Sequence, residues 1–150
     1  MKLAEALLIR ADQKKKLLSL RERITKNVRV QEGETPAEEA DALIAQAFSL
    51  LKEQQASIQQ IDRANARGKL ADGRLLADVL AERETLIQQH ALLIAAIAAV
   101  QKEADRYSPR EIKWVAQIKV AAVQKQADDL SAKLRNLNAR IQEANWQVDV

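Results

Sequence analysis

The sequence contains no cysteine, and this absence excludes several kinds of site. A disulfide framework, a thiolate zinc site and a cysteine nucleophile are all ruled out, and a chain without disulfides suits a reducing cytoplasm. Three glycines and two prolines among 150 residues leave few positions for turns. Because the common residues here, such as alanine, leucine, lysine and glutamate, favour helices, we predict an all-α fold in a single domain.

Long apolar runs are scarce as well. The longest run, Ala91–Val100, has ten residues, whereas a membrane helix needs about 20. Residues 1–10 contain an acidic residue and lead into a lysine cluster, which is not the pattern of a signal peptide. We therefore predict a cytoplasmic protein without a membrane span.

The periodicity of the apolar residues predicts four long helices, at about residues 2–29, 36–66, 75–105 and 118–145. The short connections between them favour antiparallel neighbours, so we predict an elongated antiparallel bundle or coiled coil. Residues 112–118 are rich in β-branched and aromatic side chains, which leaves open a short extended segment there. Thr35, Pro36 and Glu38 resemble a capping box and predict the start of the second helix.

Each predicted helix has a seam of apolar residues at alternating spacings of three and four. The seam of the first helix consists of Leu3, Leu7, Leu17, Ile24 and Val28, and that of the second of Ala40, Ile44, Ala47, Leu51, Gln54, Ile58, Ile61 and Asn65. The third seam consists of Leu76, Val79, Arg83, Leu86, His90, Leu93, Ile97, Val100 and Ala104, and the fourth of Val120, Val123, Ala127, Leu130, Leu134, Leu137, Ile141 and Ala144. In the second seam, the polar Gln54 and Asn65 are interpreted as residues that set the register.

Charge is distributed unevenly between the first two helices. Residues 1–29 carry nine basic and three acidic side chains, whereas residues 30–66 carry two basic and seven acidic ones. This complementarity favours pairing of the two helices. The same basic helix is the alternative hypothesis for function, a nucleic-acid-binding surface. Aromatic residues that could stack on bases make up only 3 % of the chain, so a solvated face is the favoured reading.

No motif in the sequence indicates catalysis, and we expect neither an enzyme nor a catalytic, cofactor or metal site. The only histidine, His90, lacks the Glu-x-x-His spacing of di-iron bundles, because Ile87 stands three residues before it. The glycines at 33, 68 and 73 do not have the spacing of a phosphate-binding loop.

Polar residues collect instead at the predicted helix ends, where they either cap helices or bind a ligand. One predicted end cluster consists of Arg29, Glu32, Glu34, Arg106, Tyr107, Glu111 and Lys113. The other consists of Arg63, Asn65, Asp72, Arg74 and Trp146, near an Asp-Gly turn in the loop between the second and third helices.

The apolar run Ala91–Val100 is predicted to be the most buried part of the protein, because a helix that is apolar on all sides has to be covered. The seam of the third helix accounts for one side of this run, and the opposite side has no predicted partner within the chain. That side consists of Leu92, Ala95, Ala96 and Ala99. Alanines at this spacing allow a second helix to approach closely, so we predict a homo-oligomer with this surface between subunits.

Several loop and terminal segments are similar to those of a known family. These segments are Met1–Leu7, Val30–Glu34, Arg63 with Asn65, Asp72–Arg74, Arg106–Ser108, Glu111–Lys113 and Asn145–Trp146. Together they resemble the septicolysin-like family of small bacterial coiled-coil proteins. The resemblance implies a helical, cytoplasmic bacterial protein that has no established activity.

Overall fold

The computed structural model describes residues 1–102 and 112–150, which form four α-helices and no strand. The helices are α1 (Leu3–Asn27), α2 (Ala40–Arg67), α3 (Leu76–Gln101) and α4 (Val120–Gln147). The predicted all-α class and the number of helices are confirmed. Residues 112–118 are irregular and form neither helix nor strand.

The described chain divides into two compact units. The first unit comprises Met1–Leu76 and Gln142–Val150, and the second comprises Ala77–Ile141. In the first unit α1 packs against α2, and their core includes Leu20, Leu43 and Ala47. Leu17, Ile24 and Leu50 pack against this core and are partly buried.

Of the predicted seam residues of α1 and α2, only Val28 and Leu51 are exposed, and the others are buried or half-buried. In α1 the structure also buries Ala6, Gln13 and Leu20, which the predicted seam did not include, whereas Lys14 and Arg21, seven and fourteen residues after Leu7, are exposed. In α2 it also buries Leu43 and Ala64, which lie next to Ile44 and Asn65, the half-buried residues of the predicted seam. The observed register keeps Lys14 and Arg21 in water, and burying their charges would cost more than burying the amide of Gln13.

The seam of α4 is confirmed in full, since each of its eight predicted residues is buried or half-buried. The seam of α3 is also correct from Leu76 to Ile97. Beyond Ile97 the structure departs from the prediction, because Val100 is exposed. Ala104 lies outside the described residues.

The loop between α2 and α3 contains the tight turn that its Asp-Gly pair predicts. Gly73 has a φ of +86°, its N–H donates to the carbonyl of Leu70, and Leu70 donates to the carbonyl of Arg74. Glycine is the residue that adopts this left-handed conformation at little cost. Gly33, in the connection between α1 and α2, has a φ of +87°, in the same left-handed region.

Candidate binding site

A cavity of about 820 Å³ lies where α1 ends and α2 begins, wholly within the first unit. It opens between the last turn of α1 and the connection that contains Gly33. The lining residues are Arg23, Lys26, Asn27, Arg29, Val30, Gln31, Glu34, Thr35, Pro36, Ala37 and Glu38. The volume is within the range of about 300–1,000 Å³ that small-molecule sites occupy.

An ion pair between α1 and the residues before α2 forms one wall of the cavity. The guanidinium of Arg23 donates from Nε to Oε2 of Glu38 at 2.9 Å and from Nη2 to Oε1 of the same carboxylate. This is the two-point geometry that makes an arginine–carboxylate pair directional. It joins α1 to the residues that precede α2.

Asn27, the last residue of α1, completes this wall. Its Nδ2 donates to the carbonyl of Arg23 at 2.8 Å, and its Oδ1 accepts from the backbone N–H of Glu38 at 3.1 Å. The predicted capping box at Thr35, Pro36 and Glu38 is therefore wrong. Glu38 is engaged by Arg23 and Asn27, and α2 begins at Ala40 with Glu39 as its N-cap residue, which makes no side-chain cap.

The ion pair shifts the titration of both partners. The hydrogen bond from Arg23 lowers the pKa of Glu38 below its ordinary value, and the positive charge of Arg23 acts in the same direction. The pKa of Arg23 is raised, first of all by its hydrogen bond to Glu38. Both side chains are thus held in their charged forms at neutral pH.

Three charged lining residues remain outside this pair. Lys26, Arg29 and Glu34 are exposed, and the structure gives their side chains no ion pair or hydrogen bond with any described residue. Val30, Pro36 and Ala37 add apolar surface to the same cavity. The cavity thus offers two cations, one carboxylate and an apolar patch to a ligand.

The structure tests only part of the first predicted end cluster. Arg29 and Glu34 line the cavity, and Glu32 is exposed on the turn beside them. Lys113 is exposed and belongs to the second unit. Arg106, Tyr107 and Glu111 lie outside the described residues. Sequence reasoning did not assign Arg23, Asn27 or Glu38 to this cluster, although the opposite charges of Arg23 and Glu38 on either side of the turn were an available signal.

At the other end of the first unit, Asp72 and Arg74 of the second predicted cluster pair with each other at 3.1 Å. Of the other members, Arg63 and Trp146 are exposed and Asn65 is half-buried. Other polar contacts here involve residues outside the predicted cluster. Lys2 forms an ion pair with Asp149 at 2.9 Å, and Arg67 donates to the carbonyl of Asp149 at 3.1 Å.

The backbone also ties the two ends of the chain together. The N–H of Leu3 donates to the carbonyl of Val148 at 2.9 Å, and the N–H of Val150 donates to the carbonyl of Met1 at 3.0 Å. Leu3 is fully buried, and so is Ala64. Residues 142–150 thus belong to the first unit, and within this segment Ala144 and Asn145 are buried.

The apolar run Ala91–Val100 is not the buried core that the sequence predicted. Ile97 is 7 % exposed, but Leu92 is 71 % exposed, and Ile94 and Val100 are exposed as well. On the predicted oligomer surface, Ala95 and Ala99 are exposed and Ala96 is half-buried. A single chain therefore leaves most of this run in water.

Within residues 1–102 and 112–150, no group of three or more histidine, cysteine, aspartate or glutamate side chains could hold a metal ion. None of the four helices, over the part of the chain described, is long and apolar enough to cross a membrane.

Comparison with known proteins places the chain among uncharacterised relatives. The model of DUF6847, a family of unknown function, matches residues 10–150. A crystal structure of a functionally unknown conserved protein from Corynebacterium diphtheriae is similar over 98 % of this chain and 96 % of that one. The two share 31 % sequence identity with a TM-score of 0.85. No curated protein matches.

Proposed function

The chain belongs to the family of unknown function DUF6847, and from that premise we propose that it is a self-associating helical interaction protein and not an enzyme. The exposure of Ala91–Val100 carries this proposal. Ten consecutive apolar residues, of which the single chain buries only Ile97, form a surface that soluble proteins usually cover.

A second copy of the same chain is the occupant that this surface fits. In a two-fold symmetric contact the same patch meets itself, so a charge near the axis would face a like charge. Residues 91–101 contain no charged side chain. Leu92, Ala95 and Ala99 are exposed at helical spacing, and the small alanines let two helices approach closely.

Two further features belong to the same proposal. The resemblance to septicolysin-like proteins supports a bacterial coiled-coil protein, which is more specific than a family of unknown function. A cytoplasmic location agrees with the absence of cysteine from the sequence.

Size-exclusion chromatography with light scattering tests the oligomer. At micromolar concentrations the full chain should have a mass of at least two chains, and Ala95→Glu should shift the mass towards one chain. An unpaired carboxylate in an apolar contact loses its hydration without gaining a partner.

Ala56→Glu is the matched control, because Ala56 is exposed on α2 in the first unit. This variant should keep the wild-type mass. A wild-type mass of one chain at every concentration would refute self-association, and an Ala95→Glu variant that keeps the mass of the wild-type oligomer would show that the contact does not involve Ala95.

The alternative function, nucleic-acid binding by α1, is favoured by one observation. Lys14, Lys15, Lys16 and Arg21 are all exposed, as a phosphate-binding surface requires. Titration of a labelled duplex and a labelled single strand at about 50 and 200 mM salt tests it, because binding through several phosphates weakens by orders of magnitude over that range. Absence of binding at the lower salt would exclude this alternative.

A further inference from the structure

The cavity between α1 and α2 has a wall that is already fixed and a set of charged groups that are not engaged. Arg23, Asn27 and Glu38 bind one another and are half-buried. Because these side chains already bind one another, they have few hydrogen-bonding groups left for a ligand. Recognition therefore falls to the lining groups that face solvent.

Among those groups positive charge is in excess. Lys26 lies in the last turn of α1, Arg29 follows two residues after the end of that helix, and both line the cavity. Among the described residues, Glu34 is the only carboxylate that lines the cavity apart from Glu38, whose two oxygens accept hydrogen bonds from Arg23. The groups available to a ligand thus favour an anion over a cation.

The remaining lining residues indicate which kind of molecule would carry the anionic group. Val30 is 46 % exposed, and Pro36 and Ala37 lie in the same lining. Apolar contact with these side chains would favour a compact apolar body, and Thr35 and Gln31 add neutral hydrogen-bonding groups. A bare inorganic ion would leave this part of the surface unused.

From these observations we propose that the cavity binds a small organic anion, one acidic group carried on a compact apolar body. Lys26 and Arg29 bind the acidic group, and Val30, Pro36 and Ala37 contact the body. The Arg23–Glu38 pair positions the connection that carries these residues. The proposal concerns the first unit alone and does not depend on self-association of the second.

Phenyl phosphate is a suitable probe, because it combines an anionic group with an apolar ring. Amide chemical shifts of the ¹⁵N-labelled full chain should change at residues 26–38, with a dissociation constant of roughly 1 mM or tighter for a ligand of this size. Inorganic phosphate has the anionic group without the ring, and benzyl alcohol has the ring without the anionic group. Each should bind roughly tenfold or more weakly than phenyl phosphate.

Charge-changing variants give opposite expected effects. Lys26→Gln with Arg29→Gln should weaken phenyl phosphate binding by roughly tenfold or more, since each charge-assisted hydrogen bond contributes at least that factor. Glu34→Gln should strengthen binding by roughly two- to fivefold, because it removes a like charge. The control Lys14→Gln with Lys15→Gln removes two exposed cations of α1 outside the cavity and should leave binding unchanged.

Several results would overturn the proposal. These are the absence of shifts at residues 26–38 with about 10 mM probe, equal weakening by the two double variants, or weaker binding in Glu34→Gln. Binding of inorganic phosphate as tight as that of phenyl phosphate would also contradict it, because the apolar wall would then play no part. All substituted residues are exposed, so the variants should fold.

Discussion

Gln13 is the one glutamine in the buried seam of α1, and its side chain is poorly matched to that position. The residue is 9 % exposed, and its Oε1 has no hydrogen-bond partner among the described residues. A buried acceptor without a partner costs about 1–3 kcal/mol. Gln13→Met keeps a similar length and removes the acceptor, so it should raise the free energy of unfolding by about 1 kcal/mol or more.

Thermal or urea unfolding would measure this gain, which corresponds to a rise in Tm of roughly 2–4 °C per kcal/mol. Gln46→Met, at an exposed position of α2, is the control and should change stability little. A lower stability of Gln13→Met would mean that the amide is satisfied in solution.

Glu38 makes the stability of the first unit depend on pH. Its pKa is lowered in the folded protein by the hydrogen bond from Arg23. A carboxyl with a lowered folded-state pKa stabilises the protein fully above its unfolded-state pKa, and the contribution disappears as the pH falls through the folded-state pKa. Glu38→Gln should therefore lower Tm at pH 7, and its deficit should shrink as the pH falls below about 4.

The measurement is the difference in Tm between wild type and variant across that pH range. Glu53→Gln controls for loss of one exposed carboxylate of α2. A Glu38→Gln deficit that stays constant down to about pH 2 would contradict an ionic contribution from this pair.

At the scale of the helix, the sequence predicted which segments are helical better than it predicted which side they bury. α3 and α4 follow their predicted seams because apolar residues occupy nearly every heptad position there. In α1 the structure buries Gln13 and Leu20, whereas continuing the predicted seam from Leu7 in steps of seven leads to Lys14 and Arg21. Choosing between these two sets of positions requires weighing a buried Gln13 against a buried Lys14, and apolar spacing alone does not weigh these costs.

The candidate site was predicted less completely, for a related reason. Arg29 and Glu34 were expected at a polar helix end, and they line the cavity. Glu38 was assigned to a capping box, because its spacing from Thr35 matches that motif. The motif considers only local partners. Arg23 is 15 residues away in sequence, and its contact with Glu38 forms only when α1 and α2 pack together.

Gly68 ends α2 at a place where no side chain fits. A Cβ there would lie 2.8 Å from the carbonyl oxygen of Ala64 and 3.1 Å from a methyl group of Val148. Its φ of −66° is ordinary, so the constraint is space and not backbone conformation. Gly68→Ala should lower the free energy of unfolding by about 1–3 kcal/mol, as overpacking does elsewhere.

Urea unfolding of Gly68→Ala would measure this loss. Gly33→Asn is an informative comparison, because a Cβ at position 33 meets no atom within 4 Å and asparagine tolerates a positive φ. We expect the asparagine variant to be less destabilised. The opposite order would show that Val148 moves aside readily.

At the scale of the whole molecule, the first unit is built from two separated parts of the chain. Residues 142–150 supply the carbonyl that binds Leu3, the side chain that packs on Gly68 and the carboxylate that pairs with Lys2. Deleting residues 148–150 should accelerate amide hydrogen exchange at the start of α1, because the partner of the Leu3 N–H is removed.

Asp149→Asn separates the ion pair from the backbone contacts. The Lys2–Asp149 pair is largely exposed, so this variant should accelerate exchange much less than the deletion. Equal acceleration of amide exchange in both proteins would show that the ion pair, and not the backbone hydrogen bonds, holds residues 148–150 against the start of α1.

The division of the first unit also sets an order of events during synthesis. Ala77–Ile141 separate its two parts in the sequence, and a ribosome adds about 5–20 residues per second. The pair of helices α1 and α2 therefore leaves the ribosome roughly 3–13 s before the segment that completes it. During that interval Leu3 and the face around Gly68 lack their covering residues, and a chaperone that recognises exposed apolar segments would meet this protein first at α1.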